Sequence, residues 1–199
     1  MKNVVIFDGY IDEPSCLGVP PYISPYPRYI AGAIWSVDPT INIQYITIDH
    51  ARNNASIHQL LETMDLIIVI AGVSVPGRYL STYPMSPKEA LHIFSKINNP
   101  IKILTGPAAQ SGFGSHGGKV PKKTQSFQQI FDAIITGDSE IVIHDFIKKN
   151  AHIDSISRSS KRKNAHQIKE FAIKGSKIVN QHPNYPNQLL CEIETYRGC

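Results

Sequence analysis

The chain has 199 residues, 42% hydrophobic and 18% charged, with three cysteines and a formal net charge of +4. That length suffices for one ordinary domain plus an appendage, burying roughly 70% of the unfolded surface, and three cysteines without paired spacing exclude a disulfide framework. No run approaches 18 consecutive apolar residues, and MKNVVIFDGY enters a strand directly with no apolar signal core, so the expected location is the cytoplasm.

The first 150 residues alternate two patterns. VVIF (4–7), INIQYITI (41–48), LIIVIA (66–71), IKILT (101–105) and AIIT (133–136) are short runs rich in Ile and Val. Such runs suit strands buried on both faces of a parallel sheet. Each is followed by a segment with helical spacing: RYIAGAIWSV, NASIHQLLETM, SPKEALHIFSKI, TQSFQQIFD and SEIVIHDFIKK. In the third of these, Ser86 suits an N-cap, Pro87 the first helical position and Glu89 the reciprocal side of a capping box. Five βα units in series specify an α/β fold, a doubly wound five-stranded parallel sheet with the flavodoxin-like order 2-1-3-4-5.

After Asn150 the character changes. Residues 1–150 carry 12 Lys/Arg and 12 Asp/Glu, whereas residues 151–199 carry eight and four, so the whole +4 excess lies in the final quarter. Its centre, SRSSKRKN (157–164), reads as part of a solvated basic linker, 151–164, rather than as an RNA-binding arm. AHQIKEFAIKGSKIVNQ reads as one helix, which Gly175 weakens. HPNYP stops it. LLCEIET (189–195) then alternates as a half-buried strand, with Leu190, Glu192 and Glu194 on one side and Cys191, Ile193 and Thr195 on the other. With no partner strand after it, it is expected to be disordered, to add to a sheet edge, or to pair with a second copy in a homodimer.

Ligands of open α/β sheets bind beyond the carboxyl ends of the strands, so the loops there carry the candidates. The loop after the first strand, DGYIDEPSCLGVPPYISPYPR, holds five prolines and is far longer than an ordinary βα connection. Tyr10, Tyr22, Tyr26 and Tyr29 make it either a stiff lid or a cover for the sheet edge. GVSVPGRYLSTYP follows the third strand, with Gly72 and Ser74 at its start. GPAAQSGFGSHGGKVPKK follows the fourth from Gly106, but Phe113, Val120 and Pro121 each break the phosphate-loop pattern, which excludes a nucleoside triphosphatase of that type. TGDSE follows the fifth, where Gly137 allows close approach and Asp138 and Ser139 can cap a helix. The eight histidines form no HxxxH or HExxH pair, and no G-x-S-x-G elbow is present. The chain holds no complete catalytic constellation.

LGVPPYISPYPRYIAGA, ITGDSE and the closing QHPNYPNQLLCEIETYRGC together resemble an archaeal-type radical S-adenosylmethionine protein whose N-terminal domain is cobalamin-binding-like. The resemblance spans essentially the whole chain. It implies that 1–150 is the cobalamin-binding-like domain and that 165–199 contributes a helix and the first strand of a truncated barrel. Cys199 would be the first ligand of a [4Fe-4S] cluster, and the remaining thiolates, the S-adenosylmethionine site and the barrel would belong to a longer parent. This chain would be its non-catalytic N-terminal fragment, since one cysteine cannot hold a cubane. Gly72, Ser74, Gly106, Gly137 and Glu140 are the positions at which the resemblance implies cofactor approach. The D-x-H-x-x-G signature is altered: DEPSCLG has Asp12, Pro14 in the histidine's place and Gly18 one residue late, so no axial histidine exists. Cobalamin binding without a protein ligand stays open. Methylthiotransferases, which carry three cysteines in their flavodoxin-like domain, are excluded because residues 1–150 contain only Cys16. Cys16 and Cys191 are expected to be bystander thiols. The competing reading is a stand-alone flavodoxin-like module for a small molecule or a partner protein.

Overall fold

The computed structural model describes residues 1–14, 20–74, 79–113 and 125–194. In chain order its first half runs β1 (Asn3–Asp8), β2 (Tyr22–Ile23), α1 (Pro25–Val37), β3 (Asn42–Thr47), α2 (Ile48–Asn53), α3 (Ile57–Glu62), β4 (Leu66–Ile70) and α4 (Pro87–Phe94). The second runs β5 (Ile101–Thr105), α5 (Pro107–Ser111), β6 (Ala133–Ile134), β7 (Thr136–Gly137), α6 (Ser139–Lys148), β8 (Ser159–Ser160), α7 (Lys169–Lys174) and β9 (Leu190–Cys191).

The apolar runs pair as one all-parallel sheet in the order β3-β1-β4-β5-β6. Numbered among themselves, these five strands follow 2-1-3-4-5, so the molecule is α/β, doubly wound and flavodoxin-like. Burial explains their composition. Every residue of β4 is buried, as is every residue of β1 after Asn3, and a strand covered on both faces has no position for a solvated side chain. The expected capping box opens α4: Ser86 Oγ accepts the Glu89 N–H at 3.3 Å while the Glu89 carboxylate accepts the Ser86 N–H at 2.9 Å.

Three expected helices differ. The helix expected over NASIHQLLETM is the shorter α3, and an additional one, α2, precedes it, because Thr47 Oγ1 accepts the His50 N–H at 3.1 Å and starts a helix directly at the end of β3. TQSFQQIFD makes a single 3-10 turn at Gln125–Gln129. Asp132 exchanges hydrogen bonds with the backbone of Lys102, at 2.7 and 2.9 Å, which extends the chain into β6. The helix expected after Asn164 is α7 flanked by 3-10 turns at Ala165–Ile168 and Gly175–Gln181. It lies against α1 at backbone contact. A methyl group at Gly32 would stand 1.8 Å from the Phe171 carbonyl oxygen, and one at Gly175 would stand 1.8 Å from that of Arg28. Gly175 is therefore what lets this segment seat.

The outer edge at β3 is closed by one side chain. Gln181 Oε1 accepts the Tyr45 N–H at 2.7 Å, and its Nε2 donates to the Ile43 carbonyl at 2.9 Å. The primary amide thus takes the place of a neighbouring strand's peptide group. Within the stretch read as a basic linker, β8 pairs with β7 and Arg162 is nearly buried.

Candidate functional site

The strand order reverses between β1 and β4, so the crevice to inspect lies beyond their carboxyl ends. The chain itself fills it. The Gly9 N–H donates to the Ile70 carbonyl and the Met85 N–H to the Gly9 carbonyl, both at 2.7 Å, and Met85 is buried beneath. Across this closure runs a row of edge-on tyrosines. Ring centroids are 5.4 Å apart for Tyr10 and Tyr22, 6.3 Å for Tyr10 and Tyr79, and 6.2 Å for Tyr79 and Tyr83. The tyrosine-rich loop therefore covers the sheet edge with its described residues; Cys16 lies outside them.

The glycines expected to admit a cofactor admit the protein's own backbone. A methyl group on Gly72 would meet the Ala108 nitrogen at 2.5 Å, and one on Gly106 the Ala71 oxygen at 2.8 Å. The first turn of α5 is docked there by the Ala108 N–H donating to Ala71 at 2.9 Å. The same space at Gly137 is taken by the Ser160 carbonyl, at 2.2 Å. Ser74 is exposed just past β4. At Gly72, Gly106 and Gly137 the space on the Cβ side is thus taken by the protein's own backbone. Cys199 lies outside the described residues, among which Cys191 is an exposed free thiol.

Glu140 belongs to a different cluster. It is buried in the first turn of α6, with Arg162 Nη1 3.7 Å from its carboxylate, and the same guanidinium pairs with Glu194. Asp138, at the N-cap position, turns its carboxylate to the Arg162 N–H at 2.6 Å rather than to its own helix. The chain's closing segment is fixed from a second side. Pro21 accepts the Leu190 N–H at 2.7 Å, Tyr22 hydrogen-bonds the Glu192 carboxylate, and Arg28 donates to the Glu192 carbonyl at 3.2 Å. Residues 190–194 thus form a strap over the N-terminal ends of α1 and α6. This strand adds in parallel to β2, within its own chain.

An acidic cleft beside the crevice holds groups that, apart from Asp12 in the altered signature, reading the sequence did not single out. It encloses about 430 Å³ and is lined by Asp12, Glu13, Asp49, Arg52, Thr82 and Tyr83, among others. Burial, then the nearby Asp49 carboxylate, pushes the Asp12 carboxyl above its ordinary range, so a proton or a cation between the two is favoured. Arg52 ties the wall together, bonding Asp49 at 2.6 Å and Glu89 at 2.7 Å. Behind it, Asp8 is wholly buried and accepts from the Tyr45 hydroxyl at 2.8 Å and the Tyr10 N–H at 3.0 Å. Its loss of hydration raises its pKa to about 6. His182 lies beside Tyr45, and burial lowers its pKa to about 4. The available signal was the spacing of Asp8, Asp12 and Asp49 at the carboxyl ends of the first two sheet strands. The cleft can hold a small polar ligand bearing hydroxyl or cationic groups.

The chain is 41% identical over 198 residues to an uncharacterised protein of Methanocaldococcus jannaschii, a match covering 99% of this chain and 35% of the relative. It is 39% identical over 199 residues to an uncharacterised protein of Archaeoglobus fulgidus, covering 100% of this chain and 32% of that one. The chain therefore spans about a third of the length of these curated relatives. No protein-family model and no solved structure matches it. Among the described residues, no helix is long and apolar enough to cross a membrane.

Proposed function

We propose that this chain is the N-terminal accessory domain of a cytoplasmic radical S-adenosylmethionine enzyme, a docking unit that does not itself catalyse. The observation that supports one domain of a longer protein is the match with the relatives, which takes in 99–100% of this chain but only 32–35% of each of them. The closing EIETYRGC adds to it, because a thiol at Cys199 suits the first ligand of a [4Fe-4S] cluster. In the parent enzyme that cluster would supply one-electron cleavage of S-adenosylmethionine. Within this domain the assigned roles are structural: Glu140 and Arg162 hold the strap, and the tyrosine row closes the crevice. Cobalamin is given no part.

The test is the whole Methanocaldococcus jannaschii relative, purified without oxygen. Iron–sulfur absorbance and release of 5′-deoxyadenosine from S-adenosylmethionine under a strong reductant are expected, together with a cysteine at the position equivalent to Cys199 whose replacement by alanine abolishes both. A protein that binds no iron and releases no deoxyadenosine overturns the proposal. In that event the acidic cleft favours the second reading, a flavodoxin-like binding module for a small polar ligand.

A further inference from the structure

Large apolar side chains exposed on a folded protein are informative when they gather in one place. Seven are exposed among the described residues, and five of them, Leu80, Tyr83, Tyr185, Leu190 and Ile193, lie on loops and the short β9 at the carboxyl edge of the sheet. The other two, Met1 and Ile173, lie at the start of β1 and on α7. The five are also joined. Tyr83 leads through Tyr79 and Tyr10 to Tyr22, whose register partner is Leu190. Asn184, next to Tyr185, hydrogen-bonds the Asp12 carbonyl in the same set of loops.

The strap gives the surface a direction. Its Glu192 and Glu194 side chains are tied down onto Tyr22 and Arg162, while Ile193 between them is 79% exposed and Cys191 is exposed beside it. Ile193 thus presents a large apolar side chain outward from a strap held by its polar ones. Such a side chain is stabilised when a further apolar layer covers it. About two thirds of each relative's length lies outside the match.

We propose that the carboxyl edge, from Leu80 and Tyr83 across the tyrosine row to Leu190 and Ile193, is the face on which the remaining two thirds of the longer polypeptide docks. The inference rests on the reading of this chain as one domain of a longer protein. It adds which face meets the rest and gives the tyrosine row a purpose: the buried Tyr10 ring braces the half-buried Tyr22 and Tyr79 rings, and through Tyr79 the exposed Tyr83, which supply surface for packing.

The test uses the whole Methanocaldococcus jannaschii relative, with a photo-crosslinking phenylalanine analogue placed in turn at the positions aligned with Tyr83, Ile193 and, as a control, Ile173. Crosslinks from the first two into the region outside the match, with none from the third, are expected. Amide exchange of the unsubstituted whole protein should be slow at the segments aligned with 79–85 and 189–194. Crosslinks from the Ile173 position instead, crosslinks joining two copies, or no crosslink with fast exchange in both segments would each overturn the proposal. Iron binding is read separately: an iron-free protein with the expected crosslinks removes the radical enzyme and keeps the docking face, and an iron-loaded one with none does the reverse.

Discussion

Asp8 is a carboxyl group at the floor of the sheet's carboxyl edge, where a neutral residue would be cheaper. Its folded pKa of about 6 lies above the 3.8 of an unperturbed aspartate, with burial as the leading cause. Its contribution to stability is therefore complete below pH 3.8 and is lost as the pH rises through 6, a loss of about 3 kcal/mol. His182 works the other way. Its folded value near 4 lies below the 6.5 of a free imidazole, so its contribution is complete above 6.5 and is lost as the pH falls toward 4. Over the shared window the two slopes oppose one another, and the native protein should have a shallow stability profile between about pH 4 and 6.5. Asp8→Asn mimics the protonated carboxyl. It should exceed the native chain in stability at neutral pH, lose that advantage on acidification, and uncover a fall due to His182. Urea unfolding across the window measures this, and a native profile rising or falling as steeply as the variant's would refute the opposition.

Among the elements, the close crossing of α1 and α7 is the most sensitive to a small change. Backbone meets backbone at Gly32 and Gly175, and no rotamer can relieve a methyl group placed 1.8 Å from a carbonyl oxygen. Gly32→Ala should cost about 1–3 kcal/mol or more, although the same change in an exposed helix would gain close to 1 kcal/mol from propensity. A stabilised Gly32→Ala protein, read from its thermal midpoint, would show that α7 is not seated as described. This crossing also marks what a sequence reveals. The apolar runs gave strand positions, because a parallel sheet buried on both faces imposes its composition locally, and Ser86 with Glu89 gave a helix start for the same reason; the order followed from the alternation of strands and helices with right-handed crossovers. Gly175 read only as a weak helix position because its role depends on Arg28, far away in the chain. The candidate site was less legible still. Glu140 was singled out, but as a cofactor contact, whereas its neighbours are Arg162 and, through it, Glu194. Asp8, Asp12 and Asp49 gain meaning only once β1 and β3 lie side by side.

At the scale of the whole molecule, Arg162 joins segments that are remote in sequence. Its N–H is held by Asp138, and its guanidinium lies between Glu140 of α6 and Glu194 of the strap, all four residues largely buried. A buried cation between two carboxylates contributes less than its contacts suggest, because each charge was desolvated to make them. Removing a single member is costly according to what it leaves behind. Arg162→Met removes the guanidinium that lies between Glu140 and Glu194, and should cost about 3–5 kcal/mol. Glu194→Gln leaves Arg162 paired with Glu140, keeps a hydrogen-bonding side chain in the strap, and should cost distinctly less. The two variants should also part in proteolysis: Arg162→Met should open cleavage within 182–194 under conditions where Glu194→Gln stays intact, since only the former frees the strap from α6. Equal losses in urea unfolding and equal cleavage would mean that Glu194 alone holds the strap and that Glu140 is stabilised by other contacts. Unequal losses in the stated order would identify Arg162 as the residue that fixes the direction in which the chain leaves the sheet.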